Sequence, residues 1–392
     1  MNQVRTHPAS RGAVLDVVRV RGRVSRAELA EVTGLTQATI SNVVRGLLEE
    51  DLLVETGERV YTGGKPRVLL TLNSTALCAL GVQLGADWVG VALVDAAGTL
   101  LARTRVLGAR TGTPREVLED VTRATTDLLV TAGLDADRVV GLGVASPGLL
   151  DVDRGLILRS RSLPDWRGFP LRAELERLTG FPVLLDNDAT AAAIGEYWGG
   201  GSADAVAHCT VHLAASLGTG IVLGGAVYRG ASSNTGAIGH LTVGEDGQRR
   251  TIEELVAPRG VAERARALVA EGATTSIVLS GDEDWYRDYQ AVATAAVHGD
   301  ETAQRLLETS ADHLSDAVLA IANVLDLDSV VLSGPAFAVA GTIYLRHLRR
   351  RLAAEFFAAD RHPLRVRLSA QVADAAAVGA ASLVLQRELA PR

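Results

Sequence analysis

The stretch SRAELAEVTGLTQATISNVVRGLLEE, residues 25–50, carries two helix starts and one helix stop. Ser25 and Glu28 have the spacing of a capping box, in which the Ser25 hydroxyl meets the Glu28 amide and the Glu28 carboxylate returns to the Ser25 amide. The helix so begun turns Leu29 and Ala30 inward. It stops at Thr33-Gly34-Leu35, where Gly34 supplies the left-handed backbone of a tight turn. Thr36 then caps a second helix that reaches about Glu50. At about 100° per residue, Ile40, Val43, Val44 and Leu47 gather on one side of this helix, while Gln37, Ala38, Ser41, Asn42 and Arg45 gather on another. The first set is a core stripe. The second has the chemistry of a major-groove reading face: Gln and Asn pair bidentately with adenine, Arg pairs with guanine, and Ala meets a thymine methyl.

Residues 52–54 and 68–72 read as strands flanking a segment that includes Tyr61-Thr-Gly-Gly-Lys-Pro-Arg67. Two glycines let this hairpin approach a phosphate or a narrow groove, and Lys65 and Arg67 bring positive charge to it. The pattern is that of a winged helix-turn-helix at residues 1–75. Its expected partner is double-stranded operator DNA, met by Ser25, Thr36, Gln37, Ala38, Ser41, Asn42, Arg45, Lys65 and Arg67. A helical protein-docking module with a solvated hairpin is the alternative reading.

The chain has 392 residues, 47% of them hydrophobic, enough for a sizeable core and for two or three domains. Its net charge is −7, yet residues 1–70 hold ten Lys or Arg against eight Asp or Glu. The basic bias is therefore local to the candidate DNA head. No apolar run of about 18 residues and no apolar N-terminal stretch occurs, so neither a membrane span nor a signal peptide is expected, and the expected location is cytoplasmic. Cys78 and Cys209 sit singly in apolar strand-like runs, as buried thiols do.

Past Asn73 the pattern turns to strands followed by helices, which places a boundary near residues 73–77. Segments 78–84, 89–95 and 100–106 read as a three-strand meander, Thr113-Pro-Arg-Glu116 as a helix start, and 139–145 as a buried strand. Val82-Gln83-Leu84 has a counterpart in Val211-His212-Leu213, each followed by a small-residue turn and another apolar strand. Two related units predict an α/β body of two lobes with a ligand cleft between them.

Gly141-Leu-Gly-Val-Ala-Ser-Pro-Gly148, Leu184-Leu-Asp-Asn-Asp-Ala189, Gly218-Thr-Gly220, Gly239-His240 and Val378-Gly-Ala-Ala-Ser382, together with the capped helices and Gly-Gly-basic-Pro wing, resemble the ROK (repressor, ORF, kinase) family along nearly the whole chain. The likeness is to its regulators of the xylose-repressor and N-acetylglucosamine-repressor kind. It implies an actin-like, ribonuclease-H-like ROK domain: a first lobe at residues 76–187 completed by a C-terminal helix at about 371–392, and a second lobe at 188–370. It also implies a sugar site. Asn187 and Asp188 match the family's Asn-Asp pair, in which Asn bonds sugar hydroxyls and Asp is the base of the active kinases. Without the resemblance, the same two residues read as a cap for the Ala-rich helix beginning near Ala189. His240 and Glu253 match two further sugar contacts, whereas Ala237 replaces a motif glutamate.

The kinase equipment departs from the family. Its Asp-x-Gly-Gly-Thr phosphate loop is here Gln83-Leu-Gly-Ala86-Asp87, with a carboxylate where phosphate oxygens would lie. Like charges about 4 Å apart repel by about 4 kcal/mol at an effective dielectric of about 20. The C-terminal Gly-Gly motif is Ser333-Gly334-Pro335, and the zinc cysteines beside the family's histidine are missing, so neither nucleotide, metal nor other cofactor is expected. The expected function is a sugar-responsive repressor of carbohydrate-metabolism genes, without enzyme activity. It would bind an inverted-repeat operator as a homodimer or homotetramer, with a monosaccharide or sugar derivative as effector. Two rivals remain: an active sugar kinase with an appended DNA-binding module, favoured by Asp188 and Gly218-Thr-Gly220, and a regulator that answers to a protein partner, favoured by Ala237.

Overall fold

A computed structural model describes residues 8–60, 67–199, 201–245, 247–282 and 284–389. The chain opens with α1 (Pro8–Arg21), followed by β1 (Val24–Ser25), α2 (Arg26–Thr33), α3 (Gln37–Glu49), β2 (Leu53–Val60) and β3 (Arg67–Leu72). The Ser25–Glu28 capping box is present, Gly34 closes α2 at φ 70°, and the Thr36 hydroxyl accepts from the Thr39 amide to start α3. Ile40, Val43, Val44 and Leu47 are buried as their spacing predicts, against Val14, Leu15 and Val18 of α1. The three strands pair antiparallel in the order β1-β3-β2, and β2 extends beyond the expected 52–54 through an irregularity between Glu55 and Arg59.

The body begins with β4 (Cys78–Gln83), β5 (Trp88–Asp95), β6 (Leu100–Leu107), α4 (Pro114–Ala132), β7 (Val139–Ser146), β8 (Leu149–Asp151), β9 (Leu156–Arg159), α5 (Leu171–Thr179) and β10 (Val183–Asn187). Then come α6 (Asp188–Trp198), β11 (Ala207–Leu213), β12 (Leu217–Leu223), β13 (Ala226–Val227), β14 (Thr242–Glu245), β15 (Gln248–Thr251), α7 (Ile252–Val256), α8 (Pro258–Ala270), α9 (Trp285–Val297), α10 (Glu301–Leu325), β16 (Ser329–Ser333), α11 (Phe337–Glu355), β17 (Arg365–Leu368) and α12 (Ala375–Leu389).

Two five-stranded sheets result, ordered β10-β7-β4-β5-β6 and β13-β12-β11-β16-β17. In each, three antiparallel strands continue into two parallel ones, so β4 and β11 hold equivalent central places. The weak repeat seen around Gln83 and His212 is therefore a repeat of architecture. Each sheet covers a core of its own on one face. Between the sheets lie α6, which packs on β11 and β12, and α12, which returns from the C-terminus to pack on β4 and β7 and against α6. Ala92, Val94 and Ala96 of the first lobe, Trp198 of α6 and residues of α12 join the apolar core of the N-terminal head. Among the described residues, no helix is long and apolar enough to cross a membrane.

Candidate functional site

On the head, Thr36, Gln37, Ala38, Ser41, Asn42 and Arg45 all lie exposed along α3, on the side away from its buried stripe. Ser41 donates to the Gln37 carbonyl at 2.8 Å, and Arg45 donates to Asn42 Oδ1 at 2.7 Å, so the two most discriminating side chains hold each other over the surface. Ser25 corrects the expectation. It is 2% exposed and its hydroxyl is engaged with Glu28 at 2.8 Å, so its side chain is structural and faces no ligand. Arg67 is exposed at the start of β3, whereas Lys65 and its neighbours 61–66 lie outside the described residues.

In the body, the four expected sugar contacts gather around the start of β12. Asn187 ends β10 and caps α6, its Oδ1 accepting from Ala189 at 3.0 Å and Thr190 at 3.4 Å. Asp188, 5% exposed, uses one oxygen to accept from Ala189 at 2.9 Å. Both side chains are thus engaged in capping the N-terminus of α6. Gly218-Thr219-Gly220 lies inside β12. Its role is steric: a Cβ on Gly220 would lie 2.2 Å from the Ala189 carbonyl, so only glycine lets α6 settle on this strand.

The loop bearing Ala237 and His240 is docked on the same strand. Thr219 donates to the Gly236 carbonyl through its amide at 2.8 Å and its hydroxyl at 2.9 Å. Gly236 has φ 82°, and a Cβ there would stand 1.8 Å from the Thr219 carbonyl. Ile238 is buried, which leaves His240 exposed at the end of the turn. Glu253, in the first turn of α7, accepts from the Leu217 amide at 3.1 Å and faces Arg161 of the first lobe at 3.8 Å. Gly239 sits against Glu253, which brings the His240 turn and that carboxylate together.

Sequence reading missed the charges that frame this region. Asp186, immediately before Asn187, is buried and pairs with Arg229 at 2.7 Å. Burial pushes its carboxyl up, and Arg229 opposes that shift. Asn234 clamps the lobes by accepting from the Leu150 amide at 2.8 Å and donating to its carbonyl at 3.0 Å.

Elsewhere between the lobes, Gln83, Asp87, Asp188 and Tyr286 line a cavity of about 30 Å³. That is room for about one water molecule. Gln83 and His212, the paired positions of the two repeats, meet at 3.3 Å, Nε2 to Nε2, and His212 Nδ1 lies 3.0 Å from the Ser333 hydroxyl. Burial pulls the His212 pKa down, against the pull of Asp188, so the ring is neutral. Asp87 differs from its sequence reading in one respect: it is no bare charge. Arg110 pairs with it and also approaches Asp284 of the second lobe at 3.8 Å. Burial raises the Asp87 pKa, Arg110 lowers it and Asp284 raises it. Asp87 is thus held in a salt bridge with Arg110, beside Asp284 of the second lobe, where it lines this cavity. Trp166 is buried and donates to the Ala109 carbonyl at 3.0 Å, supporting the turn that bears Arg110. Among the described residues, no group of three His, Cys, Asp or Glu stands ready for a metal ion.

A profile of the ROK family matches residues 79–387. A xylose repressor of Caldicellulosiruptor bescii is 25% identical over 374 residues, covering 92% of this chain and 92% of its own. A glucokinase of Halalkalibacterium halodurans is 26% identical over 316 residues, covering 79% of this chain and 95% of its own. Among solved structures, a ROK family transcriptional regulator described as a homologue of the E. coli MLC protein shares the fold over 98% of this chain and 97% of its own, with a TM-score of 0.78 at 22% identity.

Proposed function

The chain belongs to the ROK family, and from that premise we propose that it is a sugar-responsive, DNA-binding transcriptional repressor of carbohydrate-metabolism genes. The observation that carries this reading is coverage: a xylose repressor matches 92% of the chain, head included, while a complete glucokinase matches only 79%. The head, residues 1–75, is read as a winged helix-turn-helix, with α3 as recognition helix and the β2–β3 hairpin as wing. Thr36, Gln37, Ala38, Ser41, Asn42, Arg45, Lys65 and Arg67 then meet the operator. One α3 reads one half-site, so an inverted-repeat operator calls for a homodimer or a homotetramer.

The effector is a monosaccharide or sugar derivative held between the first lobe, 76–187 with the C-terminal helix, and the second, 188–370. Asn187, Asp188, His240 and Glu253 supply its hydrogen bonds. A buried carboxylate with one oxygen unspent, as at Asp188, suits a sugar hydroxyl donor. No catalysis is assigned: Gln83, Ala86 and the Asp87–Arg110 pair replace the groups that would cradle a triphosphate. Action on DNA places the protein in the cytoplasm.

A melting-temperature screen against monosaccharides and their phosphates tests the reading, with each hit carried into binding of the DNA upstream of the gene. A repressor gives a sugar that raises the melting temperature and releases DNA. Sugar-dependent ADP formation that disappears in Asp188→Ala would instead establish the kinase reading, which the glucokinase match favours. If no sugar shifts the melting temperature and a cellular protein releases the DNA, the substitution at Ala237 has been read too narrowly and a protein effector replaces the sugar.

A further inference from the structure

Arg19, in the last turn of α1, leaves the head and ends on α6. Its guanidinium donates to the carbonyl oxygens of Tyr197, at 3.5 Å, and Trp198, and lies 4.2 Å from the Trp198 ring centre. Asp16 holds it from behind at 3.2 Å, and the side chain is 3% exposed. These carbonyls are the open end of a helix, where a cation is favoured, and the indole face adds a second attraction. The other end of the same 11-residue helix bears Asn187 and Asp188. A rod of about 16 Å therefore has the candidate sugar site at one end and the DNA head at the other.

The head touches both lobes by different means. Its apolar core is continuous with Ala92, Val94 and Ala96 of the first lobe. Its polar grip is on α6, which packs on β11 and β12 and is tied to β17 of the second lobe by Glu196 and Arg367 at 2.6 Å. Trp198 stands where the pieces meet: it shares an apolar core with Ala92, Val94 and Ala96 of the first lobe, and its helix packs on α12 as well as on β11 and β12, so Arg19 ties α1 to the junction of the two lobes. We propose that Arg19 is the positioning residue that makes the orientation of the DNA head depend on the state of the Asn187–Asp188 site. The movement enters α1, which packs directly on α2 and α3. This inference rests on the repressor reading for its purpose, though not for its physical test. A ligand acts through such a link only if it favours one lobe arrangement over the other.

The test is a double-mutant cycle read by hydrogen exchange on the full chain, with no ligand. Asn187→Ala removes the cap at the sugar end of α6. It is expected to change exchange of α1 and α3 amides at least about threefold when Arg19 is present, and to leave them unchanged in an Arg19→Gln background. Arg19→Lys, which keeps the cation and loses the planar fork, is the second variant, with an attenuated response expected. An Asn187→Ala effect on the head that is equal in both backgrounds, or nil in both, overturns the proposal. In the functional arm, with D-xylose as probe, Arg19→Gln binds the sugar as the unaltered chain does, but the sugar no longer shifts its DNA affinity, where a shift of about tenfold is typical of coupled sites. A full shift retained in Arg19→Gln also overturns it. Failure of the unaltered chain to bind sugar or DNA sinks the repressor reading and leaves the exchange cycle to decide Arg19. Trp198→Phe is expected to retain coupling, because the indole Nε1 has no partner among the described residues and only the ring face is used.

Discussion

Arg45 and Asn42 meet at 2.7 Å on the exposed side of α3, so each orients the other before DNA arrives. Loss of a bidentate contact to guanine costs about 1–3 kcal/mol. Arg45→Ala is accordingly expected to weaken operator binding by about that much, read by fluorescence anisotropy, and an unchanged affinity would remove Arg45 from the reading face. In the cleft, Asp188 spends one oxygen on the Ala189 amide, and the proposed sugar site assigns the other to a ligand hydroxyl. Hydrogen bonds to charged groups contribute about 1.5–3 kcal/mol. Asp188→Asn should therefore raise the dissociation constant of the effector sugar at least about tenfold, and an undiminished sugar-induced rise in melting temperature would show that Asp188 makes no such contact. Residue types on one helix face pointed to Arg45 and the family resemblance pointed to Asp188, whereas the burial of Ser25 was not legible, because a hydroxyl that caps a helix and one that meets phosphate look the same in sequence.

Helices α2 and α3 announced themselves through caps that lie within three residues of their partners. Helix α1 went unread: its buried stripe of Val14, Leu15 and Val18 is set among further valines, its first turn has no acidic residue, and packing against the other head helices stabilises it more than intrinsic propensity. The contact of α6 with β12 shows the opposite limit. In sequence Gly218 and Gly220 are only part of a family-like motif, and the packed pair reveals a place where a helix lies directly on a strand. Gly220→Ala should destabilise the protein by about 1–3 kcal/mol through overpacking, measured as a lower urea midpoint. A midpoint within error of the unaltered chain would mean that α6 yields without cost, and would also weaken its role as a rigid rod.

At the scale of the whole molecule, β11 buries His208 and His212 as neutral rings. His208, desolvated and held between Ser329 at 3.0 Å and Thr210 at 2.7 Å, falls from 6.5 to about 3. Above pH 6.5 the ring is neutral in both folded and unfolded chains. As pH falls toward about 3, the unfolded chain takes a proton that the folded one refuses, so stability is lost. Between pH 7 and pH 5, His208 should contribute a loss of up to about 2 kcal/mol. Urea midpoints at the two pH values check this, since the loss should be smaller in His208→Gln. An identical loss in both chains would place the pH sensitivity elsewhere. The sequence by itself determined what is local: helix caps, the turn at Gly34, the split of α3 into a core stripe and a polar face, and motifs such as Asn187-Asp188 that sit on adjacent residues. Tertiary structure decided what depends on distant partners. Gln83 meets His212 across 129 residues, Arg110 neutralises Asp87 from a separate turn, and Arg19 reaches Trp198 across 179. Local signals survive in sequence because hydrogen bonds over three or four residues fix their spacing, but which distant charge or ring ends beside which is set only when the two lobes and the head pack together.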